Sequence, residues 1–259
     1  MNKKALYEKW KIEEEKTFSG WDFSNMSGCC STETPWDYRS IVKSFLRNEM
    51  NLLDMGTGGG EFLLTLTHPY EKTWVTESYM PNISLIKKNL IPLGIHLCEV
   101  DKDSNLNLSS NFFDIVTNRH ESYDLEEIRR ILKRDCLFIT NQVGGDNNIM
   151  LSSRLIDGYK PKYPNHNLNN EKTKFISEGF EIIYSNEAIM PSMFYDVATI
   201  VRYAKIIEWE FPNFSVDKCL DRLYELHDEI CEKGYVASNE SRFIIVAVNR
   251  KELKSNDKR

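Results

Sequence analysis

The stretch Asn51-Leu52-Leu53-Asp54-Met55-Gly56-Thr57-Gly58-Gly59-Gly60-Glu61 decides how the rest of the chain is read. A short apolar run, an acid and then glycines at alternate positions describe a strand that turns sharply into a helix, leaving bare backbone at the turn. A nucleotide-type ligand is the natural occupant of such a surface. Dinucleotide sites use a related turn, but here Asp54 stands two residues before Gly56, and Glu61 stands where their last glycine falls. Both acids would repel a pyrophosphate, and Asp54 would attract an ammonium. The turn therefore predicts a cationic, phosphate-free ligand.

Working outward, short apolar runs alternate with amphipathic segments, the pattern of a parallel sheet with helices on both faces. Strands are expected at 51–55, 73–77, 95–100, 113–117, 137–142, 180–184 and 243–248. A helix is expected over about 60–67, and a second opens near Pro81, carries Ile83, Ile86 and Leu90, and closes at Pro92 and Gly94. Asp124 and Glu127 form a capping box for a third. Ahead of the first strand, Thr34-Pro35-Trp36-Asp37 reads as a helix start. The expected fold is α/β and Rossmann-like, with seven mostly parallel strands, an antiparallel last strand, and a helical insert between strands six and seven. The domain reading has four parts: an N-terminal cap segment (1–33), a ligand-binding domain (34–188 with 240–250), an insert acting as a substrate lid (189–239), and a charged, disordered tail (251–259).

The residues Leu52 to Gly60 match the first motif of class I S-adenosylmethionine-dependent methyltransferases, hydrophobic-hydrophobic-acid-x-Gly-x-Gly-x-Gly, and the chain resembles that family. The resemblance covers roughly 36–142 and the last two strands. It implies S-adenosylmethionine as cofactor, held by Asp54, Gly56, Thr57, Gly58 and Gly60. It implies ribose hydroxyls on Glu77, which follows Gly56 by 21 residues, and an acid near the adenine, with Asp101 the first candidate and Asp103 the second. Where many members place a proline and two glycines before the fifth strand, this chain has Arg134-Asp135-Cys136. That turn lies away from the chemistry.

Methyl transfer from a sulfonium is an in-line displacement in which the protein aligns the nucleophile and sometimes takes its proton. Ligands of open α/β sheets bind beyond the carboxyl ends of the strands, which brings forward Asn118-Arg119-His120-Glu121 after the fourth. His120 is the candidate general base, with Glu121 orienting it and Arg119 holding an acidic substrate group. The competing reading is that His120 and Asn118 line the cofactor pocket through hydrogen bonds and that Arg119 pairs with a surface acid. The Pro-Pro-aromatic sequence of amino-directed members is absent. Trp36 and Tyr195 are further substrate-side candidates.

A net charge of -6 argues against wrapping nucleic acid through a general basic field. The six cysteines show neither a disulfide rhythm nor paired metal-ligand spacing, so no metal is expected. No apolar run reaches the ~20 residues of a membrane helix, and the start carries no secretion signal, so a cytoplasmic location is expected. The leading expectation is a methyltransferase acting on a small-molecule acceptor. The alternatives are RNA or protein methylation, a nicotinamide-dependent oxidoreductase, and a non-catalytic S-adenosylmethionine-binding module.

Overall fold

The structure, a computed structural model, describes residues 2–16 and 28–250. The aromatic residues Phe18, Trp21 and Phe23, expected to pack, and the tail 251–259 lie outside the described residues.

The strands are β1 (Cys29–Ser31), β2 (Leu52–Met55), β3 (Thr73–Glu77), β4 (His96–Glu99), β5 (Phe113–Arg119), β6 (Leu132–Val143), β7 (Phe180–Phe194) and β8 (Val236–Asn249). The α-helices are α1 (Lys3–Glu15), α2 (Tyr38–Phe45), α3 (Glu61–Leu64), α4 (Met80–Asn89), α5 (Leu125–Ile131), α6 (Ile149–Leu155), α7 (Leu168–Ser177), α8 (Val197–Ile206) and α9 (Leu220–Lys233). The chain divides into two compact units. Of the described residues, one comprises 36–142, 167–187 and 243–250, the other 2–16, 28–35, 143–166 and 188–242.

The first of these units carries the strand order β4-β3-β2-β5-β6-β8-β7. The pairs β2–β3, β3–β4, β2–β5 and β5–β6 are all parallel. From β2 the chain builds outward through β3 and β4, then returns to lay β5 and β6 on the other side. The order therefore reverses beside β2, and the strand ends there open a crevice. Leu53, Met55, Phe113, Phe138 and Phe243 join Leu125, Ile128 and Ile131 of α5 and Phe175 of α7 in one buried cluster. Phe175 lies parallel to Phe138, with ring centroids 5.7 Å apart. Because successive strand residues face opposite sides of a sheet, the placement of Leu53 and Met55 in this cluster turns Asp54 the other way.

Three elements depart from expectation. The helix after the glycine turn is one turn long, Glu61–Leu64, and not about 60–67. Thr67 takes a left-handed φ of 57°, and His68 precedes Pro69, a position that disfavours helical backbone. The sixth strand continues past 184 to Phe194, and the last begins at Val236. A polar run, Ser185-Asn186-Glu187, hides that continuity in the sequence.

In the other unit β1 pairs antiparallel with the end of β7, Cys29 opposite Phe194. Its core gathers Leu6 and Trp10 of α1, Leu151 and Leu155 of α6, Val197, Ile200, Val201 and Ala204 of α8, and Leu223 and Leu226 of α9. Trp10 is fully buried, with its ring against Tyr224. No helix of the described residues is long and apolar enough to cross a membrane.

Candidate active site

The glycine turn leaves β2 through three left-handed positions, Gly56 (φ 61°), Gly58 (φ 64°) and Gly60 (φ 87°). Each is a conformation that side chains on L-residues resist. Their surroundings differ. A Cβ at Gly60 would lie 2.6 Å from the buried Leu90, and one at Gly56 2.5 Å from Glu121 Cγ. A Cβ at Gly58 would meet nothing within 4 Å, so this glycine faces open space.

Two carboxylates border the turn. Asp54 is buried, and its register partner on β5 is Thr117, whose hydroxyl donates to Asp54 Oδ1 at 2.7 Å. Burial pushes the Asp54 carboxyl up from its ordinary value, opposed by Thr117 and by the nearby Thr57 hydroxyl. Thr57 Oγ1 itself is buried and lies outside hydrogen-bond geometry to any group. Glu77 ends β3 and is 6% exposed. Its carboxylate accepts from Gly58 N at 3.0 Å, Ser78 N at 2.9 Å, Tyr79 N at 3.0 Å and Asn82 Nδ2 at 3.1 Å. One side chain thus ties the turn to the start of α4. The Oδ1 end of the Asn82 amide is buried without a partner.

Beyond β5 the expected residues separate into distinct roles. Asn118 is fully buried, and its amide is committed internally. Its Oδ1 accepts from Thr140 Oγ1 at 3.1 Å and Gln142 Nε2 at 2.6 Å, and its Nδ2 donates to Ser122 O at 3.4 Å. Gln142 Nε2 also donates to Glu121 O at 3.0 Å. These bonds hold the Glu121–Ser122 loop over the strand ends. Arg119 is exposed and lays its guanidinium over the Phe62 ring, 4.6 Å from the centroid.

Glu121 packs over Gly56, and its Oε1 accepts from Ser122 N and from Ser122 Oγ, each at 3.3 Å. Its carboxyl is pushed up first by burial and then by the charges of Asp103 and Glu77. The expected orienter of His120 is thus placed at the glycine turn. The His120 ring instead meets Asn141, with Asn141 Nδ2 and His120 Nε2 3.1 Å apart. Trp36 Nε1 donates to Asn141 Oδ1 at 2.9 Å, and Tyr38 Oη donates to Asn118 O at 3.1 Å.

Of the two acids after β4, Asp101 is exposed, whereas Asp103 accepts from Ser122 Oγ at 2.5 Å. The second-named candidate is the one brought to the loop beside Glu121. Tyr195 belongs to the other unit, exposed just past β7. Sequence reading missed Asn82, Thr117 and Asn141. Thr117 and Asn141 become legible only once the β2–β5 and β5–β6 registers are known.

No protein-family model matches the chain, and no curated protein sequence matches it. Solved structures do. A protein from Bacillus halodurans C-125, described as a candidate methyltransferase, aligns at TM-score 0.55 and 12% identity over 83% of this chain and 99% of its own. The YcgJ protein of Bacillus subtilis aligns at TM-score 0.55 and 17% identity over the same shares. The [4+2]-cyclase SpnF aligns at TM-score 0.50 and 13% identity over 83% of this chain and 80% of its own. The fold is that of class I methyltransferases. The cyclase shows that this architecture also carries chemistry named otherwise, so function has to be argued from the site.

Proposed function

We propose that this protein is an S-adenosylmethionine-dependent methyltransferase with a small-molecule acceptor. The observation that carries the reading is the glycine turn: left-handed Gly56, Gly58 and Gly60, open space over Gly58, and the buried acids Asp54 and Glu77 on its borders. Such a surface suits a ligand that approaches bare backbone, and its acids favour a positive charge and sugar hydroxyls over a diphosphate. The Asn82 Oδ1 without a partner is a buried acceptor of the same region.

Asp54 would face the ammonium of the amino-acid moiety, Gly56, Thr57, Gly58 and Gly60 its backbone-contacting side, Glu77 the ribose, and Asp103 or Asp101 the adenine. Glu77 already accepts four hydrogen bonds, a carboxylate's full complement, so taking up sugar hydroxyls requires one of those donors to yield. The bound cofactor supplies an electrophilic methyl on a sulfonium. The protein's share is alignment of the acceptor and exclusion of water by the Trp36, Tyr38 and Phe62 rings. Asn118 acts here by holding the Glu121–Ser122 loop.

A nucleic-acid acceptor is disfavoured by the net charge of -6, which opposes phosphate backbones. The division expected from sequence belongs to the same proposal, with cofactor on 34–188 and 240–250 and acceptor choice by the insert 189–239 and the N-terminal segment.

Calorimetry with S-adenosylhomocysteine and with NAD tests the cofactor. Binding of NAD alone would overturn the reading. Gly56→Val and Glu77→Ala should each weaken or abolish S-adenosylhomocysteine binding while His120→Ala spares it. Incubation with methyl-labelled cofactor and a cell extract, fractionated into metabolites, RNA and protein, then tests the acceptor. Label confined to RNA or protein would refute the small-molecule assignment, and label in no fraction would favour a binding module.

A further inference from the structure

The amides that open the glycine turn are committed to β3. Gly56 N donates to Thr76 Oγ1 at 3.2 Å, Thr57 N to Thr76 O at 3.2 Å, and Gly58 N to Glu77 Oε2 at 3.0 Å. A turn that holds phosphate offers such N–H groups to its ligand. Here they bond within the fold, so the charge presented at the turn is that of the carboxylates around it. Next to Glu77, the fully buried Asn82 keeps an Oδ1 without a partner, an acceptor suited to a sugar hydroxyl.

Glu121 covers the middle of the turn. A Cβ on Gly56 would lie 2.5 Å from its Cγ and 2.7 Å from its Oε2. The residue is held from behind: Gln142 Nε2 donates to Glu121 O at 3.0 Å, and Ser122 N donates to Glu121 Oε1 at 3.3 Å. Oε1 is thereby turned to Ser122 and Oε2 to the turn. The negative charges of Asp103 and Glu77 both act against that of Glu121, so a cation placed here relieves repulsion. In the proposed function the ligand runs from Asp54, at its ammonium, to Glu77, at its ribose. Its sulfur lies between those two ends, just as Gly56 lies between Asp54 and Gly58, the residue bonded to Glu77.

We infer that Glu121 is a specificity-determining residue that reads the sulfonium, so that the site holds S-adenosylmethionine and releases S-adenosylhomocysteine. This rests on the proposed function, because the place of the sulfur follows from the places of the two ends. In the transfer the acceptor's lone pair forms the bond to the methyl carbon, the S–C bond breaks, and its electron pair stays on sulfur. The sulfonium becomes a neutral thioether, and its positive charge passes to the acceptor. The ammonium, carboxylate and ribose are the same before and after. Glu121 alone among the carboxylates of the turn is placed to sense the difference, since Asp54 and Glu77 serve the unchanged ends.

Calorimetry at neutral pH on the full chain tests this with three ligands. These are S-adenosylmethionine, S-adenosylhomocysteine, and sinefungin, which carries an ammonium in place of the sulfonium and no transferable methyl. The wild type should bind the two cations about tenfold or more tightly than the thioether, as expected for opposite charges at a partly exposed site. Glu121→Gln keeps the side chain's shape and an acceptor for Ser122 N. It should weaken binding of both cations by about tenfold and leave the thioether within about threefold of wild type. Glu121→Ala carries the same expectation if Glu121→Gln does not fold.

Equal wild-type affinities for the three ligands, or a preference for the cations that survives in the variant, overturns the inference. So does a variant in which thioether binding falls as far as that of the cations. In each of these cases wild-type binding of S-adenosylhomocysteine leaves the proposed function standing. A wild type that binds none of the three removes both claims.

Discussion

Replacing Gly58 by alanine separates the demands of the fold from those of the ligand. At this position the added methyl meets no atom within 4 Å, so the only internal penalty is backbone strain at φ 64°. For an L-residue that strain is about 1–2 kcal/mol. It is offset by up to ~1 kcal/mol because alanine restricts the unfolded chain. The net loss of stability should be ~1 kcal/mol. Gly60→Ala is the internal comparison. It carries similar strain and also drives a methyl to within 2.6 Å of Leu90 Cδ1, on a side chain with no exposure. Overpacking adds about 1–3 kcal/mol, for a total of roughly 2–4 kcal/mol.

Urea unfolding measures both losses. For binding the emphasis moves to Gly58, because the space its alanine would fill is the space the proposed ligand needs. Calorimetry should show S-adenosylhomocysteine affinity for Gly58→Ala falling tenfold or more, equivalent to ~1.4 kcal/mol. An unchanged Kd in Gly58→Ala would refute the placement of the ligand over this turn. Stability losses of equal size in the two variants would refute the reading of the open space.

Burial holds the Asp54 proton to a higher pH than the unfolded chain does, so the stability this group contributes is present below the ordinary value of 3.8 and is lost as pH rises through the folded value. Asp54→Asn should remove that part of the pH slope in urea unfolding, and a slope identical to the wild type would count against it. The ammonium of the ligand's amino-acid moiety favours the charged carboxylate, so S-adenosylhomocysteine affinity should rise with pH over the same window in the wild type and stay flatter in Asp54→Asn. Glu77→Gln swaps one acceptor oxygen for a donor and leaves two of the four donors facing an NH2, which should cost about 1–3 kcal/mol and weaken cofactor binding; native stability in that variant would contradict the described bonding. Phe175→Ala, at a fully buried ring stacked on Phe138, should cost about 3–5 kcal/mol in urea unfolding with cofactor affinity unchanged; a loss under ~1 kcal/mol would show that the cluster is not packed as described.

The alternation of short apolar runs with capped amphipathic segments was sufficient to place the sheet strands from β2 to β8, because periodicity and capping are local properties of the chain. The glycine turn and Glu77 were legible for the same reason: left-handed backbone and a strand-ending acid are specified within a few residues. The extent of β7 was not legible, since Ser185-Asn186-Glu187 reads as a loop unless its neighbours are known. Nor were the partners of the site residues. Thr117 reaches Asp54, and Asn141 reaches His120, only because the registers of β2 with β5 and of β5 with β6 bring residues 63 and 21 positions apart together. Glu121 and His120 are adjacent in sequence yet are placed in different surroundings, one over Gly56 and the other on Asn141. Sequence alone therefore determined the architecture and the left-handed glycine turn. Tertiary structure decided which side chains act together, because hydrogen-bond partners across a parallel sheet are set by strand register, a long-range property that no local pattern encodes.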